Sequence, residues 1–268
     1  MTTDHMRAFL FQEQVLARTS TRTTPLPWGT AYFNDDFPLR YDANMAIVGR
    51  PLGGATAEDI ARALDDAYEG FRHREVEFAS AVDADAIALG MAEHGYSVEG
   101  LVVMVLRRGS DRESDLAATE ELTFDDYRPL SLEIHARQPW SSDPAVAQSM
   151  AEFRKVLAGG VGARFFGQRV GGILAGSCEL YVMGDTAQIE DVNTLEEFRG
   201  RGIARNVVLR AAREAREAGA TFVFLFADVD DWPRHLYSRL GFDDVGQSRL
   251  FMRTPEGDAS GRPENASP

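Results

Sequence analysis

Between residues 203 and 215, Ile203, Val207, Ala211 and Ala215 share one helical stripe with Ala204, Val208 and Ala212 beside them, while Arg210, Arg213, Glu214, Arg216 and Glu217 face outward. This spacing predicts an amphipathic helix over 201–218, ended by Gly219. Residues 221–227 form a continuous apolar run, the mark of a strand buried on both faces. Helical spacing also marks 122–137 and 145–157, and a short helix is expected over 232–240. Strands are expected at 163–166 and 170–182, split by a turn at Gly167-Gln168-Arg169, then at 187–195 and, after Gly241-Phe242, near 248–252. This order predicts an α/β protein with a mixed sheet and one right-handed strand–helix–strand crossover at its centre.

The first half carries a similar order. With an offset of 146 residues, which lays Gly95-Tyr96 on Gly241-Phe242, Phe78 falls on Phe224 and Asp85 on Asp231. A helix over 57–71, capped by Thr56 with Asp59 three residues on, then overlies the 203–217 helix. A strand at 75–79, a helix at 84–93 and a strand at 101–106 complete the match. We read this as a duplication. The polar stretch from Gly109 to Asp115 lies in a linker over 108–122, which gives one domain over 1–110 and a second over 111–254. Residues 255–268, rich in Gly, Pro, Ser, Asn and acid, are expected to be a disordered tail.

Charge and cysteine content narrow the class. Acidic residues outnumber basic ones by 42 to 28, for a net charge of −14, the reverse of what a general nucleic-acid binder shows. Cys178 is the single cysteine, so no internal disulfide forms, and its apolar surroundings from 172 to 182 make it a small core residue. No run of 18 apolar residues and no signal-peptide pattern is present, so the expectation is a soluble, cytoplasmic protein with no membrane or nucleic-acid partner.

Chemistry concentrates at 190–205. A strand ending in Glu190-Asp191-Val192-Asn193-Thr194 runs into Arg199-Gly200-Arg201-Gly202-Ile203-Ala204-Arg205, and a helix begins at once. Small residues at such a turn leave backbone N–H groups bare, and the helix start adds partial positive charge, a receptor for pyrophosphate. Ile203-Ala204 excludes a P-loop, which needs Lys then Ser or Thr there. Arg205 stands where a dinucleotide fingerprint needs its third glycine.

Arg199, Gly202 and Ala204 meet the Arg/Gln-x-x-Gly-x-Gly/Ala pattern, and this stretch resembles the acyl-CoA loop of the GNAT N-acetyltransferase superfamily. Asp230, Leu236-Tyr237 and Leu240-Gly241-Phe242 are similar to the family's Asn-x6-Tyr-x3-Gly-Phe segment, with Asp230 in place of the asparagine. The resemblance covers about 118–254 directly and implies a GNAT acyl-CoA transferase fold, in tandem with a degenerate GNAT-like first half. It further implies acetyl-CoA as co-substrate and no metal. The strand at Val192, Asn193 and Thr194 would splay from its neighbour and pair with pantetheine. The N–H groups from Gly200 to Arg205 would hold the pyrophosphate, with charge from Arg201 and Arg205.

The implied reaction is attack by an amine, of a small molecule or a peptide, on the acetyl thioester. Tyr237 matches the family's tyrosine that protonates the departing sulfur. Glu190 is the candidate base, directly or through water; strict alternation places it on the face of Val192 and Thr194, with Asp191 on the other. His235 is a weaker candidate. Where some members place a glutamate on the next strand, this chain has only Phe222, Phe224, Leu225 and Phe226. In the first half, Gly53, Thr56, Glu58 and Met91 fall on Arg199, Gly202, Ala204 and Tyr237, so no productive coenzyme binding is expected there. The alternative is a non-catalytic acyl-CoA sensor that kept the fold.

Overall fold

In a computed structural model, which describes residues 1–255, a single mixed sheet of eleven strands carries helices on both faces. The expected tail at 255–268 lies outside the described residues apart from Pro255. The chain opens with α1 (Thr3–Thr19), an antiparallel hairpin of β1 (Arg22–Leu26) and β2 (Gly29–Phe33), and β3 (Met45–Val48). Then come α2 (Ala57–Ala67), β4 (Arg74–Phe78), α3 (Ala81–Glu93) and β5 (Ser97–Leu106). The second half comprises β6 (Thr119–Leu122), α4 (Phe124–Ala136), α5 (Pro144–Val161), β7 (Arg164–Val170), β8 (Ile173–Met183) and β9 (Thr186–Thr194). It ends with α6 (Ile203–Glu217), β10 (Phe222–Asp228), α7 (Pro233–Arg239) and β11 (Phe242–Arg253).

The strands lie in the order β1-β2-β3-β4-β11-β5-β10-β9-β8-β7-β6. Read outward from the β11–β5 seam, both sides show the same arrangement: a parallel pair, β3 with β4 and β9 with β10, next to an antiparallel partner taken from the other half. Each half thus lends its last strand to the other. A cut near residue 110 would leave β5 hydrogen-bonded to β10 and β11 hydrogen-bonded to β4 across it.

Alternation along the central strands sorts side chains between two layers. Leu101, Val103, Val105, Phe222 and Phe224 pack under α1, α4 and α5, against Phe11, Leu130 and Phe153. The opposite face is covered by α6 and α7 over the second half, through Val207, Ala211 and Leu240 on Val223 and Leu225. Over the first half it is covered by α2 and α3, through Ile60, Leu64 and Met91 on Val76 and Phe78.

One turn falls elsewhere than expected. The chain reverses at Gly171-Gly172, with φ of 59° and 87°, and β7 runs straight through Gly167-Gln168-Arg169. Gly167 is a packing glycine: a Cβ there would stand 2.6 Å from Leu174 Cδ1 and 2.7 Å from Leu122 Cδ1. β11 also begins at Phe242, six residues before the expected strand, because it pairs along β5 from its first residue. No described helix is long and apolar enough to cross a membrane.

Candidate active site

Strand β9 pairs with β10 only over Thr186, Ala187 and Gln188, yet continues beside β8 to Thr194. β10 meanwhile continues to Asp228 beside β5. The two strands therefore part after Gln188, and a cleft opens between the last residues of β9 and Leu225–Asp228. A cavity of about 1270 Å³ begins there and extends across the sheet to first-half residues Met45 and Glu75.

A bulge shapes the strand at the cleft. Glu190 lies opposite Glu179 and Asn193 opposite Ser177, so Asp191 and Val192 together face Cys178. Asp191 has φ of 49°, the single positive value at a non-glycine position among the described residues. This overturns the alternation expected from sequence. Glu190 accepts from Gln188 Nε2 at 2.5 Å on the α4/α5 side, where Asp191 also lies, whereas Val192 packs against the α6 layer. The extra residue of a bulge shifts every later side chain to the other face.

Buried charge holds the bulge. Arg154, 2% exposed, places Nε 2.7 Å from Glu179 Oε1 and Nη2 2.8 Å from Asp191 Oδ2, and donates through Nη1 to Met150 O at 2.7 Å. The Tyr127 hydroxyl donates to Asp191 Oδ2 at 2.6 Å, and the Tyr181 hydroxyl donates to Glu179. Burial pushes the Asp191 carboxyl up, but the Arg154 charge and the Tyr127 hydrogen bond hold it well below the usual carboxylate range. Cys178 is fully buried, its thiol pushed up by burial and donating to Val207 O at 3.3 Å, which fits the expected inert core role.

The turn after β9 leaves the chain's amides open. A single 3₁₀ turn at Glu196–Phe198 leads to Gly200 and Gly202, both left-handed with φ of 74° and 78°. Gly202 caps α6 with no side-chain hydrogen bond. The first N–H of the region to find an acceptor is that of Asn206, bonded to Gly202 O at 3.1 Å. The N–H groups of Gly200, Arg201, Gly202, Ile203, Ala204 and Arg205 find none among the described residues. Such a helix start is a ready anion site.

Of the residues singled out from the sequence, Glu190, Val192, Asn193, Thr194, Arg199, Gly200, Gly202, Ile203, Ala204, Arg205 and Tyr237 all line this cavity. Arg201 and Asp230 do not. Arg201 is exposed and its guanidinium lies 5.3 Å from the Phe198 ring centre, while exposed Asp230 donates its N–H to Asp228 Oδ1 at 2.8 Å. Asp228, two residues earlier, does line the wall. His235 is exposed and off the wall. Tyr237 is 7% exposed, and burial, then the Glu190 charge, pushes its phenol above the usual range. It is a proton donor across the physiological range.

Arg154, Glu179 and His135 were legible only weakly. Arg154 stands on the apolar stripe of α5 with Ala147, Ala151 and Leu157, and Glu179 sits inside the apolar run of β8. Two opposite charges on facing apolar stripes are the available signal.

Comparisons with known proteins agree with this geometry. Residues 116–242 match the model of the Acetyltransferase (GNAT) family. These residues form a GNAT acetyltransferase domain. Among solved structures, the GCN5-related N-acetyltransferase from Kribbella flavida is similar at 18% identity and a TM-score of 0.65, covering 94% of this chain and 96% of that one. A functionally unknown conserved protein from Staphylococcus epidermidis is similar at 16% identity and a TM-score of 0.67, covering 86% and 92%. A tandem GNAT protein from the clavulanic acid biosynthesis pathway is similar at 16% identity and a TM-score of 0.55, covering 93% and 94%. These likenesses are ones of fold. A comparison with curated proteins finds no match.

Proposed function

We propose that the chain is an acyl-CoA-dependent N-acyltransferase that moves an acetyl group from acetyl-CoA to an amine by direct attack on the thioester. The observation that carries the reading is the run of open N–H groups from Gly200 to Arg205 beside a parted strand edge. Six amides at a helix start suit a pyrophosphate, and the free edge of β9 suits an extended amide-bearing arm. Gly200 and Gly202 let phosphate oxygens approach the main chain, and Arg199 and Arg205 on the wall add charge.

The chemistry has a donor and an acceptor at hand. As the N–C bond forms and the C–S bond breaks, the amine gives up a proton, taken by Glu190 directly or through water, and the Tyr237 hydroxyl gives one to the departing thiolate. Glu190 and Tyr237 both line the one cavity, which supports this pairing of roles. A non-catalytic acyl-CoA sensor would need the loop but not a buried phenol there.

In this reading the first half is a second copy that has lost its coenzyme. At the position equivalent to Gly202, Thr56 caps α2 and forms a closed box: Asp59 N–H donates to Thr56 Oγ1 at 3.2 Å, and Thr56 N–H donates to Asp59 Oδ2 at 3.0 Å. Two amides at this helix start, those of Thr56 and Asp59, are tied down. β3 also stops at Val48, its last residue paired to β4, so no free edge remains. Met91, fully buried, stands where Tyr237 does and has no proton to give.

The test is a screen for CoA release with acetyl-CoA and amines of several classes, with Tyr237→Phe as control. Release by the wild type, strongly reduced in the variant, supports the reading; no release with any amine removes it.

A further inference from the structure

Where α4 ends, the cavity wall carries polar groups with no partner among the described residues. His135, in the last turn of α4, is 5% exposed, and neither ring nitrogen has a hydrogen-bond partner among the described residues. Trp140, in the connection from α4 to α5, is 8% exposed and its Nε1–H is likewise without an acceptor. Both line the cavity, and their ring centres are 5.9 Å apart at 52°. Ser131, one turn before His135, and the adjacent Ser141 are also buried with no hydroxyl partner among the described residues, but they do not line the cavity.

Buried polar atoms are nearly always hydrogen-bonded, so orphans gathered on one wall mark a place where something else completes them. The charges nearby leave one negative charge in excess. Arg40 pairs with Asp42 at 3.0 Å, and Arg154 is held between Glu179 and Asp191. Burial, then the Arg154 charge, lowers the His135 pKa to about 4, so the imidazole is neutral at pH 7. A neutral imidazole offers one donor and one acceptor, and the indole offers one donor. The excess negative charge disfavours an anionic group here.

We propose that His135 and Trp140 form the acceptor-recognition subsite, and that the acceptor amine carries a neutral amide group there, whose oxygen accepts from Trp140 Nε1–H and whose N–H donates to the His135 ring. An amide supplies both an acceptor and a donor, the complement of this wall. A carboxylate would be buried beside this excess negative charge, with no spare cation among these groups to neutralise it. The inference rests on reading this cavity as the acceptor site of an acyltransferase. It makes His135 and Trp140 binding residues, distinct from Tyr237 and Glu190.

The experiment compares glycinamide with propylamine, amines of similar size that differ in the amide. Binding to the full chain in the presence of CoA is measured by calorimetry, and the Trp140 indole N–H resonance, assigned with Trp140→Phe, locates the site. Glycinamide is expected to bind at least about tenfold more tightly, the worth of one or two buried hydrogen bonds, and to move the Trp140 resonance. The preference is expected to fall below about twofold in His135→Phe and in Trp140→Phe, since the partner atoms are gone. Equal binding of the two amines to the wild type, binding of neither, or a preference that survives both substitutions overturns the proposal. The wild-type comparison needs no variant to fold. CoA release is followed with the same two amines: a glycinamide preference without release overturns the acyltransferase reading alone, whereas release without a preference overturns the subsite alone.

Discussion

Arg154 Nη2 lies 2.8 Å from Asp191 Oδ2, and this buried pair ties α5 to the left-handed residue at which β9 bulges beside the cleft. Removing the cation leaves Glu179, fully buried, and Asp191, 18% exposed, each without its main counter-charge. Arg154→Met is therefore expected to cost about 3–5 kcal/mol. Urea denaturation at pH 7 reads the loss; a change under about 1 kcal/mol would show that the pair does not hold the bulge.

Tyr237→Phe removes the hydroxyl and leaves a ring of nearly the same volume in the same pocket. Turnover is expected to fall by about 10²–10⁴-fold, the range of general acid catalysis, while acetyl-CoA affinity stays within about threefold. Steady-state rates and a titration on the same preparation separate the two effects.

Acid stability should follow the two buried imidazoles. Burial lowers both His73 and His135 to about 4, while the unfolded chain binds the same protons near 6.5. Both are neutral when folded, so below pH 6.5 the unfolded state takes up more protons and stability falls as pH drops. Each group contributes a loss of about 2 kcal/mol between pH 6.5 and 5. Urea midpoints across that range are expected to decline, and His135→Phe to flatten the decline by about half. The Asp191 carboxyl has the opposite shift: its contribution is full above the unfolded value near 4 and is lost as pH falls below that.

How far the sequence reveals this molecule depends on whether a feature is periodic. The stripe of Ile203, Val207, Ala211 and Ala215, the Thr56–Asp59 capping box and the glycine turn are local patterns, and each lies where the spacing puts it. The bulge at Asp191 is one inserted residue with no compositional mark, so the face assigned to Val192 is wrong from that point onward. The turn at Gly171-Gly172 is misplaced because glycine serves turns and tight packing alike, and Gly167 is the packing case. From the sequence no element is assigned to α1, although its Phe9, Phe11 and Leu16 enter the core. The strand exchange is invisible because neither β5 nor β11 carries a sign of which half it joins. His135 and Trp140 acquire meaning only once their unpartnered nitrogens are seen on a shared wall.

The account stands on the amides from Gly200 to Arg205, and calorimetric titration of the chain with acetyl-CoA addresses them most directly. One site per chain is expected, since α2 is capped and β3 has no free edge. Gly202→Glu, which places bulk and negative charge at a left-handed cap with φ of 78°, is expected to weaken binding by at least about 100-fold. Saturable binding of one equivalent, abolished by that substitution, is the predicted result; no heat with the wild type, or two equivalents of similar affinity, would contradict it.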